Sequence, residues 1–387
     1  MDSVAPIEDA IADIKAGRMV ILVDDEDREN EGDLVIAADR VTPEAIAFMV
    51  EHGRGLICLA MDGALLERLE LAPMAVRNDA PLGTAFTESI DALACAGTGA
   101  SARDRARTIR EAISPTAGPR DFRKPGHIFP LRARAGGVLV RSGQTEGSVD
   151  LARLAGFTPA GVICEVMDTD GTMQRLPALL RFGAEHRIKV VTVADLIDHR
   201  LRSEPLVVEE ARCALPTRFG TFEMTVFRSL VDDAEHTALT MGTIERDVPT
   251  LVRVHRANVL ADAFRLEGAP HRAKLDRALA AIADEGRGVL VYLSPPSTGE
   301  ALSRQLRDHV DRAAGRAPER TPSNAPAAFR EFGTGAQILR QLGVGAVRVL
   351  TNQPRRLGGV SGFGLEIAEW VPLDPPDGVD SASAATP

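Results

Sequence analysis

Aromatic residues are scarce in this 387-residue chain, at 4% with one Trp and one Tyr. That argues against a stacking platform for single-stranded nucleic acid. A formal net charge of -10 argues against general nucleic-acid binding as well. No apolar run approaches the length of a membrane-spanning helix. The opening MDSVAPIEDAIADIK is acidic and amphipathic, unlike a signal peptide. The four cysteines, Cys58, Cys95, Cys164 and Cys213, form no CxxC or CxC pair. The expectation is a cytoplasmic protein with buried thiols, neither a disulfide framework nor a cysteine-based zinc site.

What is present suits a soluble globular protein: 44% hydrophobic and 26% charged residues. The length predicts two to three domains. Short apolar runs at 19–23, 34–38, 56–60, 138–141, 161–166 and 189–192 predict strands. Helical patterns fall at 7–16, 42–53, 146–155, 177–185 and 193–201. This mixture predicts an α/β (α+β) fold with a mixed sheet. Residues 77–131 are rich in Gly, Thr, Ser, Arg and Pro and predict a long functional loop with one short helix at 102–113. A boundary near 202–207 precedes a second α/β set, with strands at 220–227, 250–255, 288–293 and 346–350 and helices at 272–284 and 336–342. Residues 310–327 predict an insertion, and 373–387 a disordered tail.

Seven of the ten residues from Asp24 to Asp33 are acidic, with Arg28 the one base. Such a run is either a solvated turn or a crowd of carboxylates that gathers a hard divalent cation through oxygen ligands. Crowding also raises carboxyl pKa values, which suits proton transfer. His127 lies in KPGH near Arg120, Arg123, Arg132 and Arg134, charges that favour a neutral ring fit to act as base or ligand. Arg141-Ser142-Gly143-Gln144-Thr145 opens a helix and reads as a phosphate cradle. Glu165 interrupts the apolar strand VICEV, so it is either paired or functional.

DDEDRENEGD, KPGHIFPLRA, RSGQTEGSVDLARLAGF and GVICEVMDTDGTM together resemble 3,4-dihydroxy-2-butanone 4-phosphate synthase of riboflavin biosynthesis, over about residues 7–202. The resemblance implies a lyase domain at 1–203. Its reaction turns D-ribulose 5-phosphate into L-3,4-dihydroxy-2-butanone 4-phosphate and formate, with magnesium or manganese. It implies Arg28, Glu29, Asp33, Arg141, Ser142, Gly143, Gln144, Thr145 and Glu165 on substrate. Glu29 and Gln144 would be the metal ligands, and His127 and Glu165 the residues of proton transfer. Gln144 stands where the family has histidine, replacing a basic nitrogen by a neutral amide oxygen. A homodimer is implied, with other riboflavin-pathway enzymes as further partners, and no nucleic acid or membrane.

GTFEMTVFRS, EHTALTMG, VPTLVRVHRAN, FGTGAQILRQLGV and VRVLTNQPRR resemble GTP cyclohydrolase II, placing a second domain at 207–372. That family holds zinc on three cysteines. Here Asn258 stands at the first position, and the following CxC segment has become LEGAPH (266–271). The substrate loop reads SPPSTGE. The expectation is no zinc and no cyclohydrolase activity, with His255 and His271 structural. The competing reading makes the chain a non-catalytic scaffold, or a regulator whose GTGAQIL and TNQP stretches bind a nucleotide.

Overall fold

The computed structural model describes residues 3–25, 28–266, 271–294, 300–313, 325–352 and 364–373. The chain forms two compact units that divide between Arg200 and Leu201.

The first unit runs α1 (Ile7–Lys15), β1 (Val20–Val23), β2 (Gly32–Ala37), α2 (Pro43–Phe48), β3 (Cys58–Met61), α3 (Gly63–Arg68), β4 (Ile90–Ala92), α4 (Ala102–Ile113), β5 (Phe122–Arg132), α5 (Gln144–Leu154), β6 (Ala160–Glu165), α6 (Leu176–His186), β7 (Lys189–Thr192) and most of α7 (Val193–Ser203), whose end from Leu201 belongs to the second unit. Its seven strands form one mixed sheet in the order β4-β5-β3-β6-β2-β1-β7. Alternate strand residues face opposite sides of a sheet. Leu34, Ile36, Leu59, Met61, Val162 and Cys164 point into the main core with Ile46 of α2, Met49 directly after it and Ile109 of α4. The intervening residues, including Asp33 and Glu165, take the opposite face, where α5 packs on β2, β3 and β6. Residues 144–152 of α5 are all buried. Buried polar groups on this helix therefore need partners. Asp150 takes Arg200 Nη1 at 2.7 Å and the Val138 amide at 2.8 Å, and Glu146 takes Arg141 Nη1 at 2.7 Å.

Helix starts follow their local chemistry. Thr42, Asp62 and Ser101 each accept a backbone N–H of the following first turn, at α2, α3 and α4. α2 continues into a π-helical turn, Met49–Gly53, closed by Arg54 in the left-handed region at φ 69°.

Two sequence expectations are corrected here. Residues 138–141 are not a strand. Gly136 and Gly137 both take positive φ, 87° and 62°, and turn the chain into a short 3-10 helix at Gly137–Leu139. Residues 77–131 hold the expected helix α4, but the rest is not all loop: it contains β4 and most of the 11-residue strand β5.

The second unit holds β8 (Val207–Thr217), β9 (Gly220–Ser229), β10 (Glu235–Met241), β11 (Thr250–Arg256), α8 (Val259–Asp262), α9 (His271–Glu285), β12 (Gly288–Leu293), α10 (Glu300–Ala313), α11 (Ala325–Gln341), β13 (Ala346–Leu350) and β14 (Glu366–Val371). Its sheet runs β14-β13-β11-β12-β10-β9-β8. Phe222, Leu251, Ile282 and Leu290 centre the core. The helix read at 336–342 begins eleven residues earlier, at Ala325. Of the thiols read as buried, Cys58 and Cys164 are so, Cys95 is half-buried and Cys213 is exposed. The tail 374–387, the middle of the 310–327 stretch, and most of LEGAPH and SPPSTGE lie outside the described residues.

Candidate active site

The acidic segment is a folded turn. Asp24 follows β1, and its Oδ1 accepts the Glu31 amide at 2.9 Å while Oδ2 accepts the Glu29 amide at 3.2 Å. Arg175, just before α6, clamps the same turn from outside by donating Nη1 to the Glu29 and Asn30 carbonyls, both at 2.6 Å. The result aims the Arg28 side chain inward. Three oxygens converge on Arg28 Nη1: Asp24 Oδ2 at 2.6 Å, Glu29 Oε2 at 3.0 Å and Gln144 Oε1 at 2.6 Å. The Gln144 amide nitrogen faces the Glu31 carbonyl at 3.5 Å, which leaves the amide oxygen turned to the cation. The two residues read as metal ligands, 115 positions apart, thus meet at one point. That point already holds positive charge, and its donor set is all oxygen, the kind a magnesium or manganese ion takes. Among the described residues no group of three or more His, Cys, Asp and Glu gathers as a metal nest.

α5 begins at this point. Its N-cap, Gly143, has no side chain to satisfy the first-turn N–H groups. A Cβ at Gly143 would stand 2.5 Å from Arg141 Nη1 and 3.1 Å from both Arg28 Nη2 and Glu146 Oε2, so two guanidinium groups, one of them paired with Glu146, flank the helix start. Uncapped amides, the positive end of the helix dipole and two arginines form an anion cradle. Arg141 also donates Nη2 to the Leu82 carbonyl at 3.3 Å and to Thr84 Oγ1 at 3.4 Å, fixing its place.

The carboxylates sit beside it on the α5 face of the sheet. Asp33 on β2 and Glu165 on β6 are direct cross-strand partners. Burial pushes the Asp33 carboxyl well above the usual range, with Glu165 and Glu29 adding repulsion. Burial raises Glu165 too, against the lowering effect of its own amide and that of Leu56. Glu31 is raised by burial and then by Glu29. Among the described residues no cation pairs with Glu165. Instead the Leu56 amide donates to its Oε2 at 2.8 Å. The π-helical turn makes this possible: Arg54 bridges to Val166 and donates Nη1 to the Met167 carbonyl at 2.9 Å, which brings Leu56 N–H round to the carboxylate. Cys164, next in the chain, is pushed up to about 12 by burial and the neighbouring carboxylates.

His127 lies outside this hydrogen-bonded group. The expectation of cationic surroundings is corrected: the ring Nδ1 is 2.8 Å from Asp91 Oδ2, a carboxylate on β4. Lys124, in the same motif, turns away to Glu88 at 2.9 Å. Asp91, Arg175 and the Leu56 amide were missed by sequence reasoning. Arg175 carries a faint signal, a cation directly before a helix. Asp91 carries none, because only the β4–β5 pairing brings it to His127.

In the second unit, Asn258 N-caps α8 by accepting the Ala261 amide at 3.1 Å. Asp262 takes the Asn258 amide at 2.9 Å, Tyr292 OH at 3.0 Å and His255 Nε2 at 3.1 Å. Gln337 of GTGAQIL spends both ends on its own unit. It donates to the Leu201 and Glu204 carbonyls at 2.9 and 2.7 Å and accepts the Leu206 amide at 2.7 Å. Asn352 of TNQP accepts the Leu373 amide at 2.8 Å. His271 opens α9, and its side chain lies outside the described residues.

The first unit therefore defines a class: a mixed α/β enzyme that sets crowded carboxylates beside an arginine-flanked helix start. Residues 8–199 match the family model of 3,4-dihydroxy-2-butanone 4-phosphate synthase, and residues 208–372 that of GTP cyclohydrolase II. A riboflavin biosynthesis protein RibBA of Aquifex aeolicus (strain VF5) is 50% identical over 374 residues, 95% of this chain and 92% of that protein. The monofunctional riboflavin biosynthesis protein RIBA 2, chloroplastic, of Arabidopsis thaliana is 48% identical, over 96% of this chain and 78% of that one. Among solved structures, RibBX of A. baumannii, a two-domain 3,4-dihydroxy-2-butanone 4-phosphate synthase, aligns with a TM-score of 0.77 at 38% identity. That alignment covers 95% of this chain and 99% of RibBX. A 3,4-dihydroxy-2-butanone 4-phosphate synthase in complex with two magnesium ions aligns with 51% of this chain and 98% of its own length, at TM-score 0.50 and 43% identity. The chain belongs to the 3,4-dihydroxy-2-butanone 4-phosphate synthase family, fused to a GTP cyclohydrolase II-type domain, and is a lyase of riboflavin biosynthesis. Among the described residues no helix is long and apolar enough to cross a membrane.

Proposed function

We propose that the first unit, as a domain spanning 1–203, converts D-ribulose 5-phosphate to L-3,4-dihydroxy-2-butanone 4-phosphate and formate with magnesium or manganese. The observation that carries this is the meeting of Glu29, Gln144 and Asp24 oxygens on one cationic nitrogen, beside an uncapped helix start. Arg28, Arg141 and the residues 142–145 hold the phosphate end. Asp33 faces the sugar, raised by burial so that it can hold a proton where an ordinary carboxylate has lost it. Glu165 does the same one strand away, and a neutral carboxyl can donate to a departing hydroxyl while its conjugate base accepts later. His127 serves as the second proton carrier. Glu29 and Gln144 would hold a divalent ion, which would supply charge stabilisation to substrate oxygens. A homodimer that shares the working site is what the resemblance implies. The exposure of the His127 side chain, at 47%, and its separation from the carboxylate group support that reading. A cytoplasmic setting is in keeping with the unpaired cysteines.

The second unit, 207–372, carries neither zinc nor GTP cyclohydrolase activity in this reading. Asn258 is a helix cap with its amide oxygen already engaged, and a cap is no substitute for a thiolate. The structural employment of Gln337 and Asn352 speaks for scaffolding over nucleotide sensing.

Incubating the full chain, and separately residues 1–205, with ribulose 5-phosphate and magnesium should release formate from both. No formate from either sinks the lyase assignment of this site. Elemental analysis of the full chain should find less than stoichiometric zinc, and GTP should yield no formate. One tightly bound zinc per chain with GTP turnover overturns the reading of the second unit.

A further inference from the structure

We propose that Asp91 is the positioning residue of His127: its carboxylate keeps the proton on imidazole Nδ1 and leaves Nε2 as the atom that takes a proton from substrate. The inference rests on His127 being a proton carrier, as above.

Asp91 is 7% exposed and lies on the three-residue strand β4. Both of its oxygens are spent on one residue: Oδ1 accepts the His127 amide at 3.0 Å and Oδ2 stands 2.8 Å from Nδ1. Among the described residues no Lys or Arg pairs with it. A carboxylate taken out of water recovers its solvation cost only through its partners. Here every partner belongs to His127. The backbone is shaped for this contact. A Cβ on Gly126 would collide with the Ile90 and Asp91 backbone, and one on Gly99 would collide with the Asp91 carboxylate itself. Two glycines thus let β5 and the 97–100 loop close on the pair. The β4–β5 register shifts between Ile90 and Asp91, the position where Asp91 turns to the histidine.

The tautomer follows. A carboxylate only accepts, so the ring nitrogen facing it must donate. Nδ1 carries the hydrogen, and Nε2 keeps its lone pair. The side chain is 47% exposed, so Nε2 remains reachable. When substrate gives up a proton, the new N–H forms at Nε2, the electron pair stays on substrate, and Nδ1–H is unchanged. The imidazolium that results sits against a fixed negative charge, which lowers the energy of the charged state without moving Asp91.

The test is Asp91→Asn in the full chain. Asn Oδ1 can still accept the His127 amide, so the strand contact survives. Its NH2 now faces Nδ1 and forces the opposite tautomer, with hydrogen on Nε2. Formate release should show kcat falling about 10–100-fold, the scale for loss of an orienting partner, with KM for ribulose 5-phosphate changed less than about twofold. Ring 15N shifts of His127 should report Nδ1–H in the wild type and Nε2–H in the variant. Unchanged kcat in Asp91→Asn, or a wild-type ring carrying hydrogen on Nε2, overturns the proposal. The wild-type spectrum decides even if the variant does not fold. His127→Gln separates the two layers: full activity there removes the proton-carrier reading, whereas an inactive His127→Gln beside a fully active Asp91→Asn removes only the positioning role.

Discussion

Glu29→Gln is expected to lower lyase turnover at least about a hundredfold, a barrier increase of ~2.7 kcal/mol, while the protein stays folded. Glu29 is tied to the rest of the site by its charge and by little packing, its side chain being 30% exposed. Arg28 Nη1 keeps Asp24 and Gln144 as partners when the Glu29 charge is gone, so the turn itself should hold. What disappears is the one anionic oxygen of the pair Glu29 and Gln144. A neutral amide at both positions offers dipoles where a dication needs charge. Magnesium titration by calorimetry should show the apparent affinity falling with the rate. Glu44→Gln, at a fully exposed position, serves as the control and should leave both unchanged. Retention of more than about a tenth of the rate, a barrier change under ~1.4 kcal/mol, would rule out Glu29 as a metal ligand.

The sequence displays some of this site openly, and the pattern of what it hides is physical. Asp33 shows only as the last residue of the acidic run, but Glu165 is visible because it breaks the apolar strand AGVICE, in which every other residue is buried. A charge in such company demands a reason. The short edge strand Lys189–Thr192, buried at its centre, and the capped helix Ala102–Ile113 are equally plain, since local pattern and final burial agree. β5 was hidden because FRKPGHIFPLR carries Pro, Gly and exposed cations for most of its first half. Its strand character comes from pairing with β3 and β4. β8 was hidden because it is the edge strand of its sheet and is exposed along most of its length, so no alternation marks it. Residues 138–141 misled in the other direction: an apolar run looks like a strand until two glycines with positive φ bend it. The meeting of Glu29 with Gln144, like that of Asp91 with His127, joins distant segments and is a property of sheet order.

Replacing Glu165 by Gln should abolish activity and stabilise the protein at once. Loss of a proton-transfer carboxyl costs 10²–10⁴-fold, so turnover should fall about a thousandfold in the formate assay. The fold should tolerate the change, because the Gln amide oxygen can accept the Leu56 amide as Glu165 Oε2 does. The stability effect depends on pH, and its sign follows from the direction of the shift. Burial raises the Glu165 carboxyl above its ordinary 4.5. Below that value the native and unfolded chains are both protonated, and the wild type bears no penalty. As pH rises, the unfolded chain releases the proton first, and native stability declines until the folded group has titrated too. Asp33, its cross-strand partner, is raised by burial and by Glu165, so removing one charge relieves the other as well. Urea unfolding without divalent metal should therefore find Glu165→Gln more stable than wild type by about 1–2 kcal/mol at pH 8. The two proteins should converge near pH 4. Added magnesium should narrow the gap at pH 8, since a cation near the wild-type carboxylates offsets the same repulsion. Equal stability at pH 8, or a gap that widens toward pH 4, would show that Glu165 is not held against its preferred ionisation in the native site.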